Sequence, residues 1–410
     1  MEVDLVGEYS FIMSIVALVY CKEDLAVLKS KFDFKEIILI AATPEADFWL
    51  REESIVYKSI EDYYDEVQLN QKAINTDQII SNLATTIDRE FFATEKFFSA
   101  FDFFFYLKTT FDQLSIIYAF CKGMLAAENP KLVLLPSIPQ LQNSMLTIDS
   151  KAIFFGAVLS FLQQKKIGFE FYVNMEIKMH NGINQNKPSI AESITKIHNY
   201  LSIKKAQTQN LLYSCLNNEN SPIIFIAQHW DFEVCNNLNR FFKVIWLQHI
   251  KDKLLSTAKS VAANQSYVFD DTKLSCLRNF FQFDDVCLYE FIKPKLTNLI
   301  YDTSRMFRPL CIMLEKQFIH KKVNVLIAAA GQSIEILAAI KTAKLLGIPV
   351  IWGQHGGLYG YGDFPIERFL SKNYTHYFLY SKPVSKMVLN KPFYVVSDSK
   401  LLDLYKSKRA

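Results

Sequence analysis

The stretch "VNVLIAAAGQSIEILAAIKTAKLLGIPVIWGQHGG", residues 323–357, carries the punctuation that decides the fold. An apolar run over 324–329 ends at Gly331, and strong helix formers with late lysines follow. Gly347 and Pro349 then interrupt the pattern, and a second apolar run, 349–353, leads into a glycine loop. Glycine and then proline just past a helix is the usual order at a C-terminus, and cations late in the helix complement its dipole. The stretch therefore predicts one βαβ unit with parallel strands.

Working outward, the same kind of run recurs at 36–42, 131–137, 169–173, 222–227, 243–248, 376–381 and 393–397. These runs are continuously apolar instead of alternating, as strands covered on both faces are. The expected class is α/β, a Rossmann-like doubly wound, mostly parallel sheet with large helical insertions. Between 75 and 128 no strand signal occurs, and "FDFFFYL" (101–107) is apolar nearly all round, which predicts a buried or subunit-facing helix in an insertion over about 59–128. A docking surface for a membrane or lipid-linked substrate is the other use of such a stretch. The polar segment 180–189 reads as a linker, after which Ser189 and Glu192 form a capping box.

Composition narrows the function classes. Of 410 residues, 50% are hydrophobic and 14% aromatic, enough for a sizeable core and too few polar tracts for disorder. The net charge of +3 comes from 45 basic and 42 acidic side chains mixed along the chain, which is no nucleic-acid footprint. Seven cysteines with no CxxC spacing suit free thiols in a reducing compartment. The run "FIMSIVALVYC" (11–21) is too short to span a bilayer and follows acids where a signal peptide needs cations, so a cytoplasmic protein is expected.

Five of the twelve glycines fall within residues 350–369, around His355. Loops leaving the carboxyl ends of parallel strands line the ligand crevice, so His355 is expected to face it. Gly356 and Gly357 let a phosphate or sugar lie against backbone N–H groups, and an imidazole there can take a proton from a hydroxyl or, charged, hold a phosphate. Tyr359 and Arg368 stand close behind. Gly331 and Ser333 place amides and a hydroxyl at a helix N-terminus, where an anion binds, although serine there is commonly only an N-cap. His229 and His249 also follow glutamine at the end of apolar runs, and Asp231 beside His229 could act as base or set a tautomer. No spacing supports a metal site, a P-loop or a nucleophile elbow.

The segment "GIPVIWGQHGGLYGYGDFPIERFLSKNYTHYFLYS" (347–381) resembles the QHG-type segment of bacterial surface-carbohydrate biosynthesis proteins. These are GT-B-like transferases of capsule, lipopolysaccharide and teichoic-acid synthesis, including glycerophosphotransferases with a related HGT loop. The resemblance covers about residues 323–381. It implies two Rossmann-like domains facing a cleft, and a nucleotide-sugar or CDP-glycerol-like donor used as substrate, with no separate cofactor and no obligatory metal. It implies a carbohydrate acceptor too, and His355 as base or phosphate contact. Peripheral contact with the inner membrane and homo-oligomerisation are compatible partners. The family's passage to its second domain maps near 370. That gives an expected division into a Rossmann-like domain over 1–370 and a truncated second domain over 371–410, since a full one needs on the order of 100 residues or more. A non-catalytic homologue that binds nucleotide or carbohydrate, or scaffolds a biosynthetic complex, is the alternative expectation.

Overall fold

The computed structural model describes residues 14–137, 141–146, 150–172, 222–227, 242–264, 270–328, 333–353, 375–379 and 393–395. The chain opens with β1 (Ser14–Val19), α1 (Lys22–Lys31), β2 (Ile37–Ala41), α2 (Pro44–Glu52) and the short β3 (Lys58–Ser59). Two long helices follow, α3 (Glu66–Phe91) and α4 (Phe104–Glu128), then β4 (Pro130–Leu135), α5 (Ser150–Lys165) and β5 (Gly168–Phe171). The five strands form one sheet in the order β3-β2-β1-β4-β5, every pair parallel. Its central strand is β1, whose last four residues are all buried, so no alternation marks it. It lies within the apolar run that the sequence presents as a short membrane-like segment.

The second half holds β6 (Ile223–Ile226), β7 (Lys243–Trp246), α6 (Lys251–Ala263), α7 (Asp271–Leu274), and the hairpin of β8 (Gln282–Phe283) with β9 (Val286–Cys287). It continues through α8 (Tyr289–Thr297), α9 (Ser304–His320), β10 (Val323–Ala328), α10 (Ile334–Leu345), β11 (Val350–Gly353), β12 (His376–Leu379) and β13 (Phe393–Val395). Six strands make a second, wholly parallel sheet in the order β13-β12-β11-β10-β6-β7. The βαβ unit is β10-α10-β11, with Leu326 opposite Val350. Its helix ends in a Schellman motif: Gly347 has φ of 68°, its N–H bonds the Lys344 carbonyl at 3.2 Å, and the Ile348 N–H bonds the Ala343 carbonyl at 2.8 Å.

The expected division of the chain near residue 370 falls within this sheet. β11 and β12, on either side of residue 370, are hydrogen-bonded neighbours, with Ile351 opposite His376. The sheet is six-stranded, and the first of its strands in chain order starts at Ile223. Buried parallel strands look alike whichever sheet they join, so apolar runs alone do not report where one sheet ends and the next begins.

The aromatic insertion fills the space between the sheets. Phe103 is fully buried, with ring centroids 5.3 Å from both Phe98 and Phe307 of α9. Ion pairs tie the insertion to the second half: Lys341 of α10 to Asp102 at 2.9 Å and Lys122 to Asp284 at 2.7 Å. One apolar cluster accordingly contains Val16 and Leu18 of β1 together with Leu326 and Ala328 of β10. Among the described residues no helix is long and apolar enough to cross a membrane.

Candidate functional site at the carboxyl edge of the second sheet

Each sheet reverses its strand order once, between β1 and β4 in the first and between β6 and β10 in the second. Ligands of open α/β sheets bind at such switch points, outside the carboxyl ends of the strands. The two edges are built differently.

At the first, α1 begins immediately after β1 and the chain supplies its own anion. The Asp24 carboxylate is buried in the first turn of α1 and accepts the backbone N–H groups of Tyr20 at 3.2 Å and Cys21 at 3.3 Å. Lys151 of α5 approaches the same carboxylate at 3.8 Å. A ligand phosphate at this turn would have to displace Asp24. Burial also pushes the Cys21 thiol up to about 11, away from the thiolate form.

At the second edge a pocket of about 360 Å³ opens between the ends of β6 and β7 and the start of α10. Ile226, Ala227, Leu247 and Ile336 give it an apolar lining, and Gln248, Lys251, Ser333 and Glu335 supply polar groups. Ser333 stands at the N-cap of α10 in extended conformation, φ −140° and ψ 157°, yet makes no capping bond. Its Oγ is shielded from solvent and has no hydrogen-bond partner among the described residues. A buried hydroxyl without a partner costs free energy that a ligand can recover. The ordinary N-cap role is thus not what the serine performs here.

Glu335, in the first turn of α10, is buried and forms an ion pair at 2.5 Å with Lys251, the first residue of α6. The pairing follows from topology. β7 and β10 flank β6, so the helices that leave them begin at one edge and bring their first turns together. Tyr106 of α4 is buried, and its phenol is raised first by that burial and then by the Glu335 charge. His249 ends the short turn after β7 that leads into α6, and partial burial holds its imidazole below the ordinary value. The pocket therefore offers helix N-terminal amides, a free hydroxyl, and a carboxylate already neutralised by a lysine, arranged around an apolar floor.

Of the residues singled out by sequence, Ser333 is placed in this pocket and His249 beside it in the chain. His355, Gly356, Gly357, Tyr359, Arg368, Gly331, Asp231 and His229 lie outside the described residues, as do the linker at 180–189 and the capping box after it. Lys251, Gln248, Trp246 and Glu335 were not legible as site residues. The signal that finds them is the strand order, because only with β6 between β7 and β10 do residues 251 and 335 meet. Among the described residues no cluster of potential metal ligands occurs. Neither the protein-family models nor the curated proteins contain a match to this chain. What fold and site define together is a class, an α/β protein with two Rossmann-like parallel sheets and a built pocket at the carboxyl edge of the second.

Proposed function

We propose that this chain is a GT-B-like glycosyltransferase or glycerophosphotransferase-type protein of surface polysaccharide synthesis, and that the second-sheet pocket holds the nucleotide part of its activated donor. The observation that carries this reading is the unbonded Ser333 hydroxyl at the start of α10, inside a pocket at a topological switch point. Two consecutive parallel sheets, each with its own reversal of strand order, suit a reaction in which donor and acceptor are held by different halves. The strands that precede the other candidates, β6 before Asp231, β10 before Gly331, and β11 before His355, all end at this same edge.

In this reading the donor's phosphates lie against the amides of α10, bonded by Ser333, with Lys251 offsetting the Glu335 charge that would otherwise repel them. His355 takes the proton of the acceptor hydroxyl as its oxygen attacks. For a sugar donor the bond from C1 to the nucleoside diphosphate breaks and the diphosphate leaves with the electron pair. For CDP-glycerol the oxygen attacks phosphorus and CMP leaves. Gly356 and Gly357 let the donor approach the backbone, and Tyr359 and Arg368 contact the sugar or phosphate.

Titrating nucleotide sugars and CDP-glycerol into the full chain by calorimetry tests the reading. At least one donor is expected to bind, Ser333→Ala to weaken it about tenfold (the loss of one hydrogen bond to a charged group), and His355→Ala to keep binding while abolishing transfer. If no donor binds the parent chain, the transferase reading fails and the scaffolding alternative takes its place.

A further inference from the structure

A second cavity lies far from the nucleotide pocket in sequence and shares no lining residue with it. About 700 Å³ in volume, it runs along one face of α4 between α3 and the β8–β9 hairpin. The α4 residues that line it, from Phe111 to Gly123, recur at helical spacing, so the groove follows the helix for about 18 Å at 1.5 Å per residue. That length and volume suit an oligomeric small molecule instead of a single ring or ion.

The lining is organised by height. The floor is aromatic: Phe111 and Tyr118 each pack on Phe283, with centroids 5.4 and 5.5 Å away, and Tyr63 closes the far end. Tyr63 reaches that position because residue 123 is glycine, where any Cβ would land on the Tyr63 carbonyl oxygen. The rim is made of planar amides, those of Asn82, Asn279 and Gln282, all exposed. Asn82 accepts from Gln78 through its Oδ1 at 2.9 Å and Gln282 donates from its Nε2 to the Asp284 carbonyl at 2.6 Å, so the Asn82 amino group and the Gln282 carbonyl oxygen face a ligand. Aromatic rings accept the C–H face of a pyranose, whose hydrogens carry partial positive charge. Amides, each with donors and an acceptor, match vicinal hydroxyls. A hydrocarbon chain would use the floor and waste the rim. An anion is disfavoured as well, because Lys122, the one cation among the described lining residues, is held by Asp284 at 2.7 Å, and that carboxylate also accepts the Tyr118 hydroxyl at 2.7 Å.

We propose that this groove binds a neutral oligosaccharide. The inference stands on the groove's own chemistry and does not need the donor reading. If both hold, the groove is where a growing glycan is gripped.

The test is a printed array of neutral and acidic oligosaccharides probed with the full chain, the best neutral trisaccharide then being titrated by calorimetry. Neutral glycans are expected to bind in preference to acidic ones. Tyr118→Ala is expected to weaken the titrated trisaccharide at least tenfold, and Asn82→Ala, at an exposed position whose side chain bonds Gln78 of the same helix, severalfold. Near-ultraviolet circular dichroism and an unchanged nucleotide titration establish that the variants are folded and that only this groove is altered. No glycan binding, a preference for acidic glycans, binding untouched by either substitution, or displacement of the trisaccharide by laurate each overturns the proposal.

Discussion

Replacing Lys251 by methionine keeps the aliphatic stem and removes the charge that faces Glu335. The Glu335 carboxylate is 4% exposed and the lysine 43%, so the variant leaves a buried anion whose partner is gone while water reaches only the lysine side. Breaking a fully buried pair costs about 3–5 kcal/mol, and the partial exposure of Lys251 brings this down to about 2 kcal/mol. For a unit the size of the second half that corresponds to a melting temperature lower by roughly 4–8 °C. Glu335→Gln alone leaves a neutral amide that can still accept from the ammonium and is expected to cost about 1 kcal/mol or less. In the double variant neither charge remains, and most of the loss is regained, giving a coupling energy of about 1–2 kcal/mol. Thermal or urea unfolding of the four proteins measures the cycle. A Lys251→Met variant within 0.5 kcal/mol of the parent, or a double variant as unstable as the sum of the singles, refutes the argument that the pair neutralises a buried charge in the pocket.

Ser333→Ala is expected to raise stability by about 1 kcal/mol, where loss of a working N-cap would lower it by about 1 kcal/mol, because the hydroxyl is buried and makes no capping bond. Urea unfolding checks it. Gly347→Ala meets no atom within 4 Å, so its expected cost of about 1 kcal/mol comes from the positive φ alone and is visible as a lower unfolding midpoint with unchanged slope. Burial raises the folded-state carboxyl of Asp88 above its unfolded value, despite bonds from Ser99 and the Ala100 N–H. A raised carboxyl destabilises the fold above its folded pKa and is relieved as pH falls through it, so Asp88→Asn is expected to gain stability relative to the parent as pH rises from the ordinary carboxyl value of 3.8 through the raised folded one. Melting temperatures across that range that move the other way contradict the burial argument.

The βαβ unit was readable because every boundary in it has a local cause: lysines at the helix end, Gly347 at positive φ, and Pro349 beyond it. The long aromatic stretch was readable as helix for the same reason, and burial of Phe103 and Phe104 shows where its all-round apolar character goes. Sheet membership was not readable. β11 and β12 pair with each other, and β7 lies two strands from β10, yet the runs that form them differ in nothing that periodicity detects. β1 was missed because four consecutive buried residues resemble a short membrane-like run as much as a central strand. The same gap hid Lys251 and Glu335, which are 84 residues apart in sequence and meet only through strand order.

Hydrogen exchange measured by mass spectrometry on the full chain, with and without a panel of nucleotide sugars and CDP-glycerol, tests the placement of the donor most directly. Slowed exchange at peptides spanning residues 246–251 and 333–337, together with the loop over 355–368, is the expected result. Protection at the turn after β1, where Asp24 already occupies the amides, or no protection with any donor, contradicts it.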